Sequence, residues 1–241
     1  MIRLERASFG YREREPVLFE VDLTLGGGLT LLVGPNGCGK STLLKLAAGV
    51  ERPDAGRVEV DGHDLWTDEV AARRSLAYVP EQPEMTPYAS VAEVLDLVCR
   101  VRGEARERGR AALAEVGLET LGSRSVRELS MGQRRLALLA AALVGKPTHV
   151  LLDEPLEAMD RAVRDRILGW IAGHARAGAT VVVVSHEIEP FAALAVRAVT
   201  VRAGMCETRD PLPSQRAERM SALEGLARGV ATGICPLEPL G

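Results

Sequence analysis

The stretch VGPNGCGKST, residues 33–42, follows an apolar segment and opens a segment with helical periodicity. Gly34, Gly39, Lys40 and Ser41 have the spacing G-x-x-x-x-G-K-[ST]. Glycines let the backbone curl until consecutive N–H groups point at a phosphate, and the following helix adds the positive end of its dipole. Lys40 can reach the outer phosphates of a nucleotide, and the Ser41 hydroxyl can bind Mg²⁺. We therefore predict a phosphate-binding loop formed by Gly34, Pro35, Asn36, Gly37, Cys38, Gly39, Lys40, Ser41 and Thr42.

Apolar segments around this loop predict an α/β fold. The runs LTLLVG, HVLLD and TVVVVS are apolar on both faces, as in central strands of a parallel sheet that helices cover. Strands are predicted at residues 2–9, 17–25, 30–33, 57–60, 75–79, 149–152, 180–184 and 196–201. Helices are predicted at residues 41–48, 133–144 and 162–177. Strand, loop and helix alternate along the chain, which indicates an α/β sandwich.

Two parts of the chain lack this alternation. Residues 81–130 carry no strand pattern, and VAEVLDLVCRVRG and EARERGRAALAEVG have the periodicity of amphipathic helices. We predict a core domain over residues 1–204 with a helical subdomain, about residues 84–140, inserted into it. Residues 205–241 are predicted to form a short C-terminal extension with a helix around residues 215–231.

Composition excludes several classes of protein. A net charge of −3 and an isoelectric point of about 5.9 give no basic surface for nucleic acid. The four cysteines show no CxxC spacing, so we expect a reducing cytoplasm rather than a disulfide framework or a metal site. The charged first residues do not resemble a signal peptide, and no apolar run approaches the roughly 18 residues of a membrane span.

A second acidic element follows another buried strand. HVLLDEP, residues 149–155, delivers Asp153 and Glu154 to the carboxyl end of its strand, where open α/β sheets bind ligands. Asp153 is predicted to hold Mg²⁺, and Glu154 can act as general base on the attacking water. Together with the loop around Lys40, this strand is still compatible with kinases, GTPases and recombination ATPases.

The stretch ELSMGQRR, residues 128–135, separates these classes. LSMGQ resembles LSGGQ, the signature of the ATP-binding cassette (ABC) family, and Ser130 lies 90 residues after Lys40 and 23 before Asp153. Physically the stretch is another helix N-terminus that can bind a negative group. Its predicted site residues are Ser130, Met131, Gly132 and Gln133. Met131 replaces a glycine of the family pattern, and binding is expected to survive because Ser130 and Gly132 are retained.

The family resemblance covers residues 3–204 and implies a specific fold. That fold is a P-loop NTPase core with an N-terminal antiparallel β-subdomain and an inserted α-helical signature subdomain. The resemblance implies that Tyr11 stacks on adenine and that His186 is the switch histidine at the γ-phosphate. It also implies that Asp160 is the D-loop aspartate of the dimer interface. Residues 157–159 are Glu-Ala-Met where the family often has Ser-Ala-Leu, so contacts through that serine are not assumed.

The Q-loop of the family has two candidates in AYVPEQPEMTPYASV, residues 77–91. Spacing favours Glu81, which would bring a carboxylate close to Mg²⁺ and the attacking water. Side-chain chemistry favours Gln82, which lies one position later. Both alternatives stay open at this point.

The resemblance implies that ATP and Mg²⁺ bind between two copies of the chain, paired head to tail. Each ATP would lie between the phosphate loop of one copy and the signature of the other, with Glu154, His186 and Lys40 as catalytic residues. The partner is this chain or a homologous ABC subunit. Closure and opening of such a dimer can drive a second protein.

We expect that second protein to be a separate transmembrane permease, with this chain peripheral on the cytoplasmic face of the membrane. The Tyr-Val-Pro-Glu sequence at residues 78–81 and the lack of a long C-terminal domain favour export over import. The alternative is a soluble ABC ATPase that acts in cofactor or complex assembly without transport. An ABC protein of nucleic-acid repair or translation is disfavoured because the chain has one phosphate loop and no CxxC.

Overall fold

The computed structural model describes residues 1–12, 15–82, 85–157 and 159–228. Ten strands are found in these residues, and most follow apolar runs of the sequence. They are β1 (Ile2–Arg12), β2 (Glu15–Leu25), β3 (Gly28–Val33), β4 (Ala55–Val60), β5 (His63–Asp64), β6 (Leu76–Val79), β7 (His149–Asp153), β8 (Thr180–Val184), β9 (Ala195–Arg202) and β10 (Met205–Arg209).

Eight α-helices lie in the same residues, and most of the longer ones coincide with segments of helical periodicity in the sequence. They are α1 (Lys40–Ala47), α2 (Glu69–Arg74), α3 (Val91–Arg102), α4 (Arg106–Glu115), α5 (Met131–Leu143), α6 (Arg161–Arg176), α7 (Glu189–Ala192) and α8 (Arg216–Arg228). None of these described helices combines the length and the apolar character that crossing a bilayer requires.

The strands form two sheets. The main sheet has the order β10-β9-β3-β8-β7-β6, and every neighbouring pair is parallel except β9 and β10. The smaller sheet has the order β2-β1-β4-β5 and is antiparallel throughout. The predicted α/β core with an N-terminal antiparallel β-subdomain is therefore confirmed.

Both faces of the main sheet are buried, which explains the continuous apolar runs. Leu31 and Val183 face a core built with helices α5, α6 and α8 and with the helical insertion. Leu32 and Val182 face the opposite core, which α1 and the antiparallel sheet complete. Successive residues of each strand thus point in turn into the two cores. Burial of each such side chain stabilises the fold by roughly 1.5–3 kcal/mol.

The helical insertion lies between β6 and β7 in the sequence. Helix α3 begins at a capping box in which the Ser90 Oγ accepts from the Glu93 N–H, at 3.2 Å, and the Glu93 carboxylate accepts from the Ser90 N–H. Leu95 and Leu113 bury the contact of α3 with α4 in the same core that α5 joins. The bounds predicted for this subdomain, residues 84–140, stay a prediction, and residues 83 and 84 lie outside the described part.

The described part of the C-terminal region belongs to the core. Strand β10 adds an antiparallel edge to the main sheet, and Leu223 on α8 is fully buried. The Arg219 guanidinium donates to carbonyls at the end of α7, including the Ala192 oxygen at 3.2 Å. Residues 205–228 therefore contribute a strand and a buried helix to the core, and the predicted division of the chain at residue 204 stays a prediction. Residues 229–241, which include the end of the predicted helix, lie outside the described part.

Candidate functional site

The phosphate loop joins the carboxyl end of β3 to the start of α1. Gly39 is the N-cap of α1 with φ of 106°, a left-handed conformation that suits glycine. A Cβ at Gly39 would lie 3.1 Å from Val17 Cγ1, and one at Gly34 would lie 3.0 Å from Cys38 Sγ. Since Gly39 brings no capping side chain and the first turn of α1 carries no acidic residue, the positive helix end is left for an anion.

Lys40 extends back into the curve of this loop. Its side chain is buried, with 6% of the residue exposed, and Nζ donates to the carbonyl oxygens of Gly34 and Pro35, both at 2.9 Å. A buried ammonium and the helix N-terminus therefore point at the same place. Together they form an electropositive cradle for phosphate groups.

Ser41 and Asp153 come together from distant parts of the sequence. The Ser41 hydroxyl donates to Asp153 Oδ1 at 3.2 Å, at the carboxyl end of β7. Burial raises the pKa of Asp153, and the hydrogen bond from Ser41 acts against that rise. A hydroxyl and a carboxylate are hard oxygen ligands that suit Mg²⁺, which is usually completed by water and substrate phosphates. In the part of the chain that is described, no cluster of three or more His, Cys, Asp or Glu offers another metal site.

Glu154 is a buried carboxylate held in an unusual backbone conformation. Its φ is 45°, in the left-handed region, and its N–H donates to the Val184 oxygen at 3.0 Å. Oε2 accepts from the His186 N–H at 3.2 Å, whereas Oε1 has no hydrogen-bond donor among the described residues. The His186 Nε2 lies 3.3 Å from Oε1 but does not have the angle of a hydrogen bond. Burial raises the pKa of Glu154, against the opposing effect of His186.

One cavity of about 400 Å³ unites these groups. Its lining comes from six separate segments of the chain, which only the fold brings together. The lining residues are Tyr11, Val17, Asn36, Gly37, Gly39, Lys40, Ser41, Thr42, Glu81, Glu154, Val184 and His186. The predicted catalytic residues Lys40, Glu154 and His186 thus share one cavity, while Asp153 reaches it through Ser41.

Tyr11 stands at the mouth of this cavity near the end of β1. It is 56% exposed, packs edge-to-face on Phe9 with ring centroids 5.0 Å apart, and places its hydroxyl 3.4 Å from Thr42 Oγ1. Tyr11 also lines a second cavity, together with Cys38, Gly204 and neighbouring residues. An exposed aromatic ring that lines two cavities has the surface that stacking on a base requires; stacking on adenine stays a prediction.

The two Q-loop candidates differ in position. Glu81 lines the cavity with Lys40 and Glu154, and its charge contributes to the raised pKa of Asp153. Gln82 does not line this cavity, although both side chains are exposed. The geometry therefore favours Glu81 over Gln82.

The signature segment lies apart from this cavity. Ser130 is the N-cap of α5: its Oγ accepts from the Gln133 N–H at 3.2 Å, and its N–H donates to Gln133 Oε1 at 3.0 Å. Met131 is 65% exposed, and Ser130, Met131, Gly132 and Gln133 are all absent from the cavity lining. Asp160 is also a helix cap, since its Oδ1 accepts from the Val163 N–H at 3.0 Å at the start of α6.

Two arginines near the site have no predicted role in the sequence analysis. Arg135 is buried and donates to the backbone oxygens of Glu157 and Glu81. Arg164 forms a two-pronged ion pair with Glu187, the residue after His186. The arginine pair after LSMGQ is visible in the sequence, but its contacts depend on how three loops fold together.

Comparison with known proteins identifies the family of the chain. A sequence model of the ABC transporter family matches residues 18–157. The molybdenum import ATP-binding protein ModC of Rhodopseudomonas palustris (strain HaA2) is 37% identical over 217 residues, covering 86% of this chain and 57% of that protein. The taurine import ATP-binding protein TauB of Pseudomonas aeruginosa (strain UCBPP-PA14) is 34% identical over 218 residues, covering 88% of this chain and 81% of that protein.

A third relative is the sulfate/thiosulfate import ATP-binding protein CysA of Synechococcus elongatus, 37% identical over 194 residues that cover 78% of this chain and 56% of that protein. The chain thus spans little more than half the length of ModC and this CysA.

Solved structures agree on the fold. The dimeric structure of MJ0796, a bacterial ABC transporter cassette, superposes with a TM-score of 0.77 at 27% identity, covering 87% of this chain and 98% of that one. The structure of an ATP binding subunit of an ABC transporter superposes with a TM-score of 0.80 at 23% identity, covering 93% and 95% of the two chains. The predicted ABC ATPase fold is confirmed, and the chain belongs to the ABC transporter family as one of its ATP-binding cassettes.

Proposed function

We propose that this chain binds and hydrolyses Mg-ATP as the ATPase subunit of an ABC transporter. The observation that carries the proposal is the Oε1 atom of Glu154. It is a buried carboxylate oxygen for which the described part of the chain offers no hydrogen-bond donor, at a cavity that also contains Lys40 and the phosphate loop. A buried acceptor of this kind is costly unless a ligand satisfies it, and a water molecule poised for attack is the ligand that hydrolysis requires.

The residues around the cavity divide the chemistry among them. Lys40 and the N-terminus of α1 bind the phosphate groups, and Ser41 with Asp153 would hold Mg²⁺, which neutralises charge on the phosphates when bound. Glu154 accepts a proton from the attacking water through Oε1. The raised pKa of Glu154 makes this carboxylate a stronger base than an exposed glutamate, provided that it is ionised. His186 lies 3.3 Å from the same oxygen and orients the carboxylate.

Two copies of the chain are proposed to complete the site. Ser130 and its helix N-terminus can bind an anion, yet they do not line the cavity of their own chain. A head-to-tail pair would bring Ser130 of one copy to the ATP held by the other. The dimeric structure of the MJ0796 cassette supports this arrangement. A homodimer is the simplest form, and a homologous ABC subunit could replace one copy.

The transport partner is proposed to be a separate permease, which would place this chain at the cytoplasmic face of a membrane. The export direction predicted from residues 78–81 has no support from the relatives, since ModC, CysA and TauB are all named as import proteins. We therefore propose import. The named substrates of these relatives differ from one another, so the cargo of this chain is not assigned.

The test compares phosphate release by the purified chain with Mg-ATP, with ATP plus EDTA, and with the variant Glu154→Gln. We expect hydrolysis only with Mg-ATP, and we expect Glu154→Gln to retain ATP and elute as a dimer. The exposed Glu207→Gln on β10 is the matched control and should hydrolyse ATP normally. Hydrolysis at the normal rate by Glu154→Gln, or a monomeric variant at saturating Mg-ATP, would show the mechanism to be wrong.

A further inference from the structure

We propose that Arg135 is a positioning residue for ATP hydrolysis, which links the signature helix α5 to the loops that hold Glu154 and Glu81. The proposal rests on the ATPase function argued above. Arg135 lies two residues after the signature residue Gln133 and touches no cavity-lining side chain of the phosphate loop through a hydrogen bond within the described contacts. Any effect on the reaction therefore passes through other residues.

The contacts of Arg135 join three segments. Nη1 donates to the Glu157 backbone oxygen at 2.9 Å, and Nη2 donates to the Glu81 backbone oxygen. Glu157 belongs to the D-loop, and its own N–H donates to the backbone oxygen of Glu154 at 3.3 Å. Arg135 thus fixes the turn that presents the Glu154 carboxylate and, at the same time, the Q-loop residue that lines the cavity.

Burial makes these contacts consequential. Only 6% of Arg135 is exposed, so its charge has lost most of its water. The carboxylates of Glu157, Glu81, Glu154 and Asp153 lie close enough to favour the charged form, while burial lowers the pKa of the guanidinium. A planar guanidinium can donate to two backbone oxygens on different loops at once, which a lysine ammonium does less well. The fork shape of arginine therefore suits a link between two loops.

Arg134, the preceding residue of the same helix, provides a matched comparison. Its guanidinium also donates to two backbone oxygens, those of Val126 at 3.1 Å and Arg127 at 3.0 Å. Both oxygens belong to the helical insertion, so Arg134 braces α5 within that insertion alone. Arg135 makes the same kind of contact to the catalytic loops. Substituting each of these neighbouring arginines in turn therefore distinguishes two effects. One is the loss of contacts that hold α5 within the insertion, and the other is the loss of contacts that position the loops of the site.

The geometry gives Arg135 a role between two ATP sites. In the proposed dimer the signature of this chain meets the ATP of the other copy, while Glu154 serves the ATP of its own. A shift of α5 on contact with that ATP would move Arg135 and, through it, the turns at Glu157 and Glu81. The link is a contiguous set of hydrogen bonds, which is the physical requirement for coupling of this kind.

The experiment uses the full chain and the variants Arg135→Gln, Arg135→Lys and Arg134→Gln. Calorimetric titration gives the Kd of ATP, phosphate release gives kcat, and gel filtration with ATP gives the dimer fraction. For Arg135→Gln we expect a Kd for ATP within about twofold of that of the unmodified chain. Its kcat should be lower by roughly 10- to 100-fold, because misplaced catalytic groups slow the reaction by such factors. The ATP-bound dimer should therefore accumulate. Arg135→Lys should recover part of kcat, and Arg134→Gln should keep kcat within about twofold.

Two results would overturn the proposal. One is an Arg135→Gln variant whose kcat stays within about twofold of the unmodified chain. The other is an Arg135→Gln variant that loses ATP binding and dimer formation together with activity, as Arg134→Gln would if both arginines only brace the helix. Glu154→Gln and the unmodified chain, measured in parallel, test the ATPase function separately. If Arg135→Gln gives either of these two results while Glu154→Gln and the unmodified chain behave as expected, only the inference about Arg135 is contradicted.

Discussion

The replacement of Tyr11 by alanine tests whether the cavity recognises a nucleotide base as well as phosphates. The ring is 56% exposed and is held by edge-to-face packing on Phe9, so it already stands in a fixed position before any ligand arrives. Stacking of a base on an aromatic side chain contributes roughly 1–3 kcal/mol, which corresponds to about 5- to 150-fold in Kd. Tyr11→Phe removes only the 3.4 Å contact with Thr42 and should change Kd by no more than about twofold.

Calorimetric titration with ATP and with inorganic triphosphate separates the base from the phosphates. Tyr11→Ala should weaken ATP binding by the factor given above and leave triphosphate binding unchanged, because triphosphate has no base to stack. Phe19→Ala, at an aromatic residue that is 55% exposed and lines neither cavity at Tyr11, is the control. An unchanged ATP affinity in Tyr11→Ala, or an equal loss for triphosphate, would refute the stacking role.

Three further predictions concern the core, the acid limit of stability and the switch histidine. Leu223→Ala should lower the free energy of unfolding in urea by roughly 3–5 kcal/mol without changing ATP affinity, and a loss under about 1 kcal/mol would show that α8 is peripheral. Burial would raise the pKa of Asp61, but hydrogen bonds from the Met1 amine, His149 and Ser75 outweigh it and hold the pKa at about 2. Since the pKa of Asp61 in the folded state lies below the unfolded value of 3.8, ionised Asp61 stabilises the fold above about pH 4. This contribution is lost as pH falls towards 2. In Asp61→Asn the free energy of unfolding should depend less on pH over that range than in the unmodified chain. An unchanged pH dependence would contradict this role of Asp61. Arg164→Gln and Glu187→Gln should each lower kcat by roughly 2- to 10-fold and the double variant no further, whereas additive losses would argue against a shared action on His186.

The parallel strands of the main sheet could be predicted from sequence because each face of that sheet meets a separate core. Val182 and Val183 point to opposite cores, so residues 181–184 form an unbroken run of valines. The strand at His63–Asp64 and the short helix at Glu189–Ala192 escaped prediction, since so few residues give no measurable periodicity. Strand β10 escaped for a different reason. It is an edge strand whose residues are mostly exposed, and only its pairing with β9 reveals it.

The phosphate loop was predictable because its chemistry is local. Gly34, Gly39, Lys40 and Ser41 act through the backbone curl and one helix N-terminus, so their spacing alone specifies the arrangement. The choice between Glu81 and Gln82 was not local. It depends on which side chain the end of β6 turns towards the cavity, and only the fold places Glu81 there. Arg135 is a stronger case, because its two acceptors lie 54 and 22 residues away in the sequence.

The left-handed backbone of Glu154 shows why this acidic residue could be located from sequence while its surroundings could not. A non-glycine residue at φ of 45° carries strain of about 1–3 kcal/mol, which surrounding contacts must offset. Here the N–H of Glu154 pairs with Val184, the His186 N–H holds Oε2, and Arg135 fixes Glu157 three residues later. Strand β8 with the residue His186 after it, and helix α5 through the turn at Glu157, therefore converge on one strained residue. If Glu154 acts as the general base and α5 meets a second copy, as proposed above, a movement of α5 would change the position of this carboxylate and so couple the second copy to the base.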